Sequence, residues 1–518
     1  MIKKIQIILL LITLSLSGIN LTCGQRKGDK GMYFAKKTYT DTPQPRFERD
    51  KDKIPIPILV GNPGWLEMYW KCWELAMNKA KKPYPGSPFV SNYIDEAFND
   101  NIFQWDTHFM LMYWNYIYYI FPAIQAHDNF YCRQHKNGYI CREIQEKDGK
   151  DFYYDGKENN TLTNTINPPL YPWVEYEYYK ISGDNSRFKL IIPVLEKYSK
   201  WIDTNRIKPG TKHSLYWQTG LGSGMDNTPR SGSGWICMSS QMAMFYLYLS
   251  KICEHEHAES KAKKFYSRSK KIAALINEWM WDEEDGLYYD VNDNGEQVKV
   301  KTAASFWPML AEICNQEQAE RLVKNLKNPS TFWRPFPFPT LAADHSAYNP
   351  KGHYWLGGVW APTNYMIIKG LQKYGFQQFA AQTTEKYLFG MYEVFKKTGT
   401  IWENYAPESY NPDDIAKGDF VGWTGLGPIA LLIENIIGIQ LDALNNIIHW
   451  HLNRTDRHGI QNLRFRDAMV SLIAEERVDI NAAVNMNVES NKGLLLKIYN
   501  RGDEKLFEIK KGENRIKF

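Results

Sequence analysis

The sequence predicts a mainly α fold: a ring of paired helices over most of the chain, followed by a small C-terminal antiparallel β-sheet region. Three observations carry this. Amphipathic helical patterns recur from about residue 60 to residue 440. The connections at 123–170, 206–235, 328–358 and 396–422 are long and loaded with Gly, Pro, Trp, Tyr, Asp and Asn, and long loops inside a compact domain are usually functional. After Leu441 the texture changes to short β-rich runs between polar turns.

Residues 1–25 pair a short basic start, Lys3 and Lys4, with an apolar stretch from Ile5 to Leu16 and then small residues. This is the pattern of a secretory signal, too short for a comfortable membrane span. Leu21-Thr22-Cys23-Gly24 reads as a lipoprotein site, so membrane attachment through a lipidated Cys23 is expected. The expected location is exported, either periplasmic or on the outer surface. Residues 26–55 are polar and read as a tether. Residues 56–440 form the predicted helical domain. In its clearest helix, Ala258, Ala262, Phe265, Ser269, Ile272, Ile276 and Trp279 fall at steps of four and three, with Lys and Arg between them. That is one buried and one solvated face. Phe376 to Met391 repeats the pattern. Further helices fall near 64–79, 104–122, 171–181, 186–203, 236–254, 301–314, 316–327, 359–373 and 423–437, about eleven or twelve in all. In 441–518, strands are expected at Asn445–His451, Gly459–Arg464, Ala482–Val488, Leu494–Tyr499 and Leu506–Ile509.

Composition narrows the function classes. With 43% hydrophobic and 23% charged residues in 518, the chain is neither disordered nor a multispan membrane protein. Its net charge of +5 is spread over polar helix faces, so nucleic acid is not an expected partner. Asp290 to Gly295 imitates the start of a calcium loop, but Lys301 stands where a bidentate Glu is needed, and a β-hairpin turn is the better reading. None of the seven cysteines forms a CxxC pair, so no zinc site is expected, nor any other metal or cofactor. Cys132 and Cys141 are candidates for a disulfide. Most others lie on apolar helical stretches and read as small buried hydrophobes.

Two carboxylates stand out. Asp226 lies in Tyr216-Trp217-Gln-Thr-Gly-Leu-Gly-Ser-Gly224-Met225-Asp226-Asn227-Thr228-Pro229-Arg230, where glycines allow tight bends and apolar neighbours would raise a carboxyl pKa. Read alone, it is a turn or capping residue. Glu403, in Ile401-Trp402-Glu403-Asn404-Tyr405, is either a polarised base or a rim carboxylate. The wider set favours chemistry. Trp105-Asp106 opens a helix, Asn167-Pro168-Pro169 ends a long loop, Tyr354-Trp355 and Gly357-Gly358-Val359-Trp360-Ala361-Pro362 precede a helix, and Gly422-Trp423-Thr424 starts the last one. Aromatic faces stack on sugar C–H surfaces, and glycoside hydrolysis needs such a cleft with two carboxyls flanking the bond.

These fragments resemble, in order, the helical-barrel clan of inverting α-glycosidases: trehalases of glycoside hydrolase family 37, processing α-glucosidases of family 63 and mannosylglycerate hydrolases. Trp105-Asp106 matches the Trp-Asp stretch. Gly138 to Arg142 and Asn167 to Pro169 resemble the early loop and the Pro-Pro after it. Asp226 matches the general-acid context, Gly358 to Pro362 the Trp-Ala-Pro segment, Glu403 the general-base context, and Gly422 to Thr424 the closing Gly-Trp-Thr. Leu356 and Cys141 depart from the pattern, which leaves the sugar open. The resemblance implies an (α/α)6 barrel that hydrolyses a terminal α-glycoside of a disaccharide or oligosaccharide, an α-glucoside first and a mannosylglycerate-like substrate as the alternative. Asp226 would be the acid and Glu403 the base, with carboxyls about 6.5–9.5 Å apart. Asp106, Arg142, Asn167 and Arg230 would hold hydroxyls, and Trp105, Trp217, Trp360, Tyr405 and Trp423 would wall the subsite. The rivals are a lyase or epimerase on a similar toroid, and an inactive surface glycan-binding lipoprotein.

Overall fold

The computed structural model of the chain describes residues 32–95, 99–152 and 165–518. The secretory pattern and Cys23 lie outside the described residues.

Among the described residues, six helices form an inner ring and six lie outside it. The outer helices are α1 (Pro63–Met77), α3 (Ala126–Cys132), α5 (Phe188–Asn205), α7 (Glu259–Trp279), α9 (Gln316–Leu326) and α11 (Gln377–Thr398). The inner ones are α2 (Gln104–Trp114), α4 (Tyr171–Ser182), α6 (Ile236–His255), α8 (Trp307–Leu310), α10 (Ala361–Lys373) and α12 (Gly427–Ile437). Burial follows this division except at α3: α7 buries only Ala262, Phe265, Ser269, Ile272 and Ile276, whereas every residue of α2 and α12 is buried, and the outer α3 is also buried throughout. The inner helices touch in sequence, α2 on α4, α4 on α6, α6 on α8, α8 on α10 and α10 on α12, and α12 returns to α2. That closure makes the ring an (α/α)6 barrel. Glu434 in the apolar α12 is no misfit, because Lys369 Nζ donates to it at 2.8 Å and Tyr116 Oη at 2.9 Å.

Beyond the barrel the strands are more numerous than the sequence predicts. They are β2 (Ile439–Asp442), β3 (Ile447–His451), β4 (His458–Phe465), β5 (Ala468–Ala474), β6 (Asn485–Ser490), β7 (Leu494–Asn500), β8 (Asp503–Ile509) and β9 (Gly512–Lys517), joined by β1 (Ile56–Leu59) from before the barrel. They form two sheets, ordered β1-β4-β5-β6-β9 and β2-β3-β7-β8. The expectation of one antiparallel sheet confined to 441–518 is corrected twice. β1 pairs with β4, and β3 runs parallel to β7. The Asp290–Val291 segment pairs with Gln297–Val298 as the expected hairpin.

The described part of the expected tether is docked rather than free. Phe34 is buried against Tyr131, with ring centroids 5.0 Å apart, and Lys37 Nζ lies 2.6 Å from Asp128. The Cys132–Cys141 disulfide does not form: Cys141 is a buried free thiol whose Sγ donates to the Phe152 carbonyl at 3.2 Å.

Candidate active site

The loop carrying Asp226 folds tightly over Trp105. Thr219 caps one helical turn, Gly220–Ser223, by accepting from the Gly222 N–H at 2.9 Å. Gly224 then takes a left-handed φ of 73°, and a Cβ there would sit 2.8 Å from the Trp105 ring, so the position requires glycine. The next residues dock on the 353–355 segment. Trp355 N–H donates to Asn227 Oδ1 at 2.8 Å, Asn227 Nδ2 donates to the His353 carbonyl at 3.3 Å, and Thr228 Oγ1 donates to the Trp355 carbonyl at 3.3 Å. Tyr354 Oη reaches Asp226 Oδ2 at 3.1 Å.

Glu403 is held through its backbone. Its N–H donates to the Lys417 carbonyl at 3.0 Å, and its own carbonyl accepts from Trp423 Nε1 and Thr424 Oγ1, both at 3.1 Å. One carboxyl oxygen, Oε2, accepts from the Lys417 N–H at 3.3 Å.

Both carboxyls titrate near neutrality. Burial pushes Asp226 up to about 6, against the Tyr354 hydroxyl and the Arg142 charge, which pull it down. Burial pushes Glu403 up to about 7, against the Lys417 N–H and charge, and the charge of Asp226 adds to the rise. The charge of Asp226 is thus felt at Glu403, after burial and the Lys417 contacts. Asp106 completes the group. It is held well above the usual carboxylate range, chiefly by burial, with repulsion from Asp95 and Glu403 opposing attraction from Arg142.

Around these carboxyls stand buried groups with unused hydrogen-bonding capacity. Asp106 Oδ1, Trp105 Nε1 and Trp355 Nε1 have no hydrogen-bond partner among the described residues. A buried polar atom without a partner is costly, and a polyhydroxylated ligand would offer partners to all three. Trp105 and Trp355 stand edge to face, with centroids 6.4 Å apart. Trp360 stacks behind Trp355 at 3.9 Å and donates to the Tyr354 carbonyl.

Of the residues singled out from sequence, Trp105, Asp106, Arg142, Asn167, Asp226 and Glu403 come together. Arg142 links the elements: Nη2 lies 2.8 Å from Glu143, and Nη1 donates to the Leu221 carbonyl beside the Asp226 loop at 3.3 Å. Asn167 Oδ1 accepts from the Trp105 N–H at 3.4 Å. Trp360 and Trp423 are a layer back from the expected wall, the first behind Trp355 and the second bracing Glu403. Three expectations are corrected. The Arg230 guanidinium is consumed by Asp290, with two contacts of 2.8 Å, and by Cys237, so it has no free fork for a sugar. Trp217 packs on Arg206, 4.6 Å from its ring centroid. Tyr405 stacks on Phe336 at 5.0 Å within the core. Sequence reading missed Tyr354, Trp355 and Asn227 as contact residues, although the Tyr-Trp pair before two glycines was visible.

A cavity of about 1380 Å³ lies elsewhere, between α11 and the second sheet, and contains neither carboxyl. Its Arg454 pairs with Asp456 at 2.7 Å and with Glu385 at 3.7 Å, so these charges are already matched. Among the described residues, no group of three or more His, Cys, Asp or Glu is placed to hold a metal ion, and no helix is long and apolar enough to cross a membrane.

Comparison with known proteins bears on the family and the fold. Residues 112–424, more than half of the chain, match the family model described as the mannosylglycerate hydrolase MGH1-like glycoside hydrolase domain. An uncharacterized protein of Borreliella burgdorferi is 28% identical over 380 residues, 71% of this chain and 78% of its own. Among solved structures, the family 63 mannosylglycerate hydrolase of Thermus thermophilus, in complex with glucose, superposes with a TM-score of 0.57 at 18% identity, covering 70% of this chain and 99% of that one. The neutral trehalase of Saccharomyces cerevisiae gives 0.52 at 15% identity, covering 65% and 73%.

Proposed function

The chain belongs to the family of mannosylglycerate hydrolase MGH1-like glycoside hydrolases, and from that premise we propose that it cleaves a terminal α-glycosidic bond with inversion, Asp226 acting as general acid and Glu403 as general base. The observation that carries the reading is the pair itself: two buried carboxyls on separate loops, both raised towards neutrality, beside Asp106 and two indole N–H groups without partners. In a single displacement, Glu403 takes a proton from the attacking water while Asp226 gives its proton to the departing glycosidic oxygen. Asp106 and Arg142 hold hydroxyls of the sugar, and Trp105 and Trp355 bound its apolar face. The sugar we propose is glucose. A mannosyl-glycerate substrate is the second reading, favoured by the family description.

The test is product stereochemistry and two variants. Proton NMR on a panel of α-linked glucosides and mannosides, trehalose and mannosylglycerate included, is expected to show the β-anomer released first. Asp226→Asn and Glu403→Gln are each expected to lower kcat by about 10²- to 10⁴-fold with the melting transition retained. Initial release of the α-anomer, or near-normal turnover in either variant, overturns the assignment.

A further inference from the structure

We infer that Asp413 is a positioning residue that locks the two halves of the active site to each other; this rests on the reading of the Asp226–Glu403 pair given above. Asp413 is 3% exposed and lies outside every segment that marked the site in the sequence. Its carboxylate collects donors from both sides. Oδ2 accepts from Asn404 Nδ2 at 2.7 Å and from the Tyr354 N–H at 3.1 Å, and Oδ1 accepts from the Ile415 N–H at 3.1 Å. Asn404 adjoins Glu403, and its carbonyl accepts from the Asp413 N–H at 3.2 Å. Tyr354 is the residue whose hydroxyl meets Asp226.

The loop is shaped around this carboxylate. A Cβ on Gly352 would lie 2.1 Å from Asp413 Oδ2, and one on Gly358 would lie 2.8 Å from it. Between those glycines, His353 and Tyr354 both adopt left-handed backbone, with φ of 44° and 69°. Consecutive non-glycine residues there are unfavourable and persist only where surrounding contacts hold them. The Asp413 carboxylate supplies one such contact at the Tyr354 N–H. Releasing it lets the backbone under Tyr354 relax, which moves the hydroxyl relative to Asp226 and frees Asn404 beside Glu403. The charged neighbour of Asp413 is Asp414. Burial raises the Asp413 pKa, the hydrogen bond and charge of Asp414 add to the rise, and Asp414 also faces His353 Nδ1 at 3.3 Å. It does not replace the three donated hydrogen bonds.

The decisive experiment compares Asp413→Ala with Asp413→Asn, measuring kcat and KM separately on the best substrate, with a melting curve for each. Asp413→Ala is expected to lower kcat by about 100-fold, the scale of a small displacement of reacting groups, with KM within about threefold. Asn at 413 keeps one acceptor oxygen, which can face Asn404 Nδ2 and the Tyr354 N–H while its NH₂ takes the side of the Ile415 N–H. Asp413→Asn is therefore expected to retain at least about tenfold more kcat than Asp413→Ala. A kcat for Asp413→Ala within about twofold of wild type, an effect confined to KM, or an Asp413→Asn no better than Asp413→Ala overturns the inference. If the Ala variant fails to fold, Asp413→Ser, too short to reach both donors, takes its place under the same criteria. Asp226→Asn is run alongside. Activity retained there defeats the reading of the pair, whereas an inactive Asp226→Asn beside normal Asp413 variants defeats the positioning role alone.

Discussion

Two sets of buried carboxylates share this barrel and are treated in opposite ways. Around α3 and α4, Asp128 and Glu175 are fully matched. Arg187 donates to Glu175 at 2.7 and 2.8 Å and to Asp128 at 2.8 Å, Lys37 reaches Asp128 at 2.6 Å, and His127 and Tyr131 contact Glu175 at 3.2 and 3.0 Å. Burial alone would raise Glu175, but the Arg187 charge and hydrogen bonds overcome it and hold the group at about 2. At the loop end, Asp226 and Glu403 are also buried but have no salt-bridge cation at contact distance among the described residues, so burial wins and both rise. Glu175 is thus held as an anion, while Asp226 and Glu403 are left with raised proton affinity. A matched cation makes the difference, and chemistry needs the unmatched kind.

The largest effect that tests this contrast is on stability. Arg187→Met removes the shared cation and leaves Glu175 and Asp128 buried with weaker partners. It is expected to destabilise the protein by about 3–5 kcal/mol, read as a lower urea midpoint. Near-wild-type stability would mean that the network is not held by charge. Among molecules that remain folded, the pH dependence of turnover should be unchanged, since nothing in the Asp226–Glu403 pair touches Arg187.

A smaller effect separates the two sets by the sign of their pH linkage. Glu175 is depressed from its ordinary 4.5, so its contribution is present above that value and is lost as pH falls through about 2. Glu403 is raised from 4.5 to about 7, so its penalty is absent below 4.5 and grows until about pH 7. Glu403→Gln is therefore expected to be more stable than wild type by about 1–3 kcal/mol at pH 8, with the difference vanishing by about pH 4.5. Equal stability across that range would show that Glu403 is not an uncompensated charge.

The same contrast explains what was legible in the sequence. Helix α7 was plain because one face meets solvent and the periodicity survives. Helix α3, Ala126–Cys132, was missed because all seven of its residues are buried and His127 and Asp128 serve the charge network, so no apolar stripe remains. Strand β9, Gly512–Lys517, was missed because it is a polar edge strand. The pairing of β1 with β4 spans the whole barrel, so no local pattern announces it. In the site, motif context located Asp226 and Glu403, but adjacency on a loop does not say which way a side chain points. Arg230 turns inward to Asp290, and Tyr405 turns inward to Phe336. Asp413 sits in an ordinary Pro-Asp-Asp turn, and only the folded loop shows which of its two aspartates receives Tyr354 and Asn404.

The finest distinction concerns the one neutral donor that Asp226 receives among the described residues. The Tyr354 hydroxyl favours the ionised form of Asp226 and pulls its pKa down against the larger effect of burial. Wild-type kcat/KM is expected to be bell-shaped. It should fall below about 6, where both carboxyls are protonated and no base remains, and fall above about 7, where both are ionised and no acid remains. Tyr354→Phe removes a donor to the anion, so Asp226 holds its proton to higher pH and the acid limb of the bell should move in the alkaline direction by up to about one unit, with the alkaline limb, set by Glu403, moving less. Any loss in maximal rate from the missing hydroxyl should be smaller than the loss from Asp413→Ala. An unmoved or acid-shifted bell would mean that Tyr354 does not act on Asp226 during turnover. The site's pKa values would then be set by burial alone, and the contrast with the Arg187 network would rest on the missing cation without help from neutral donors.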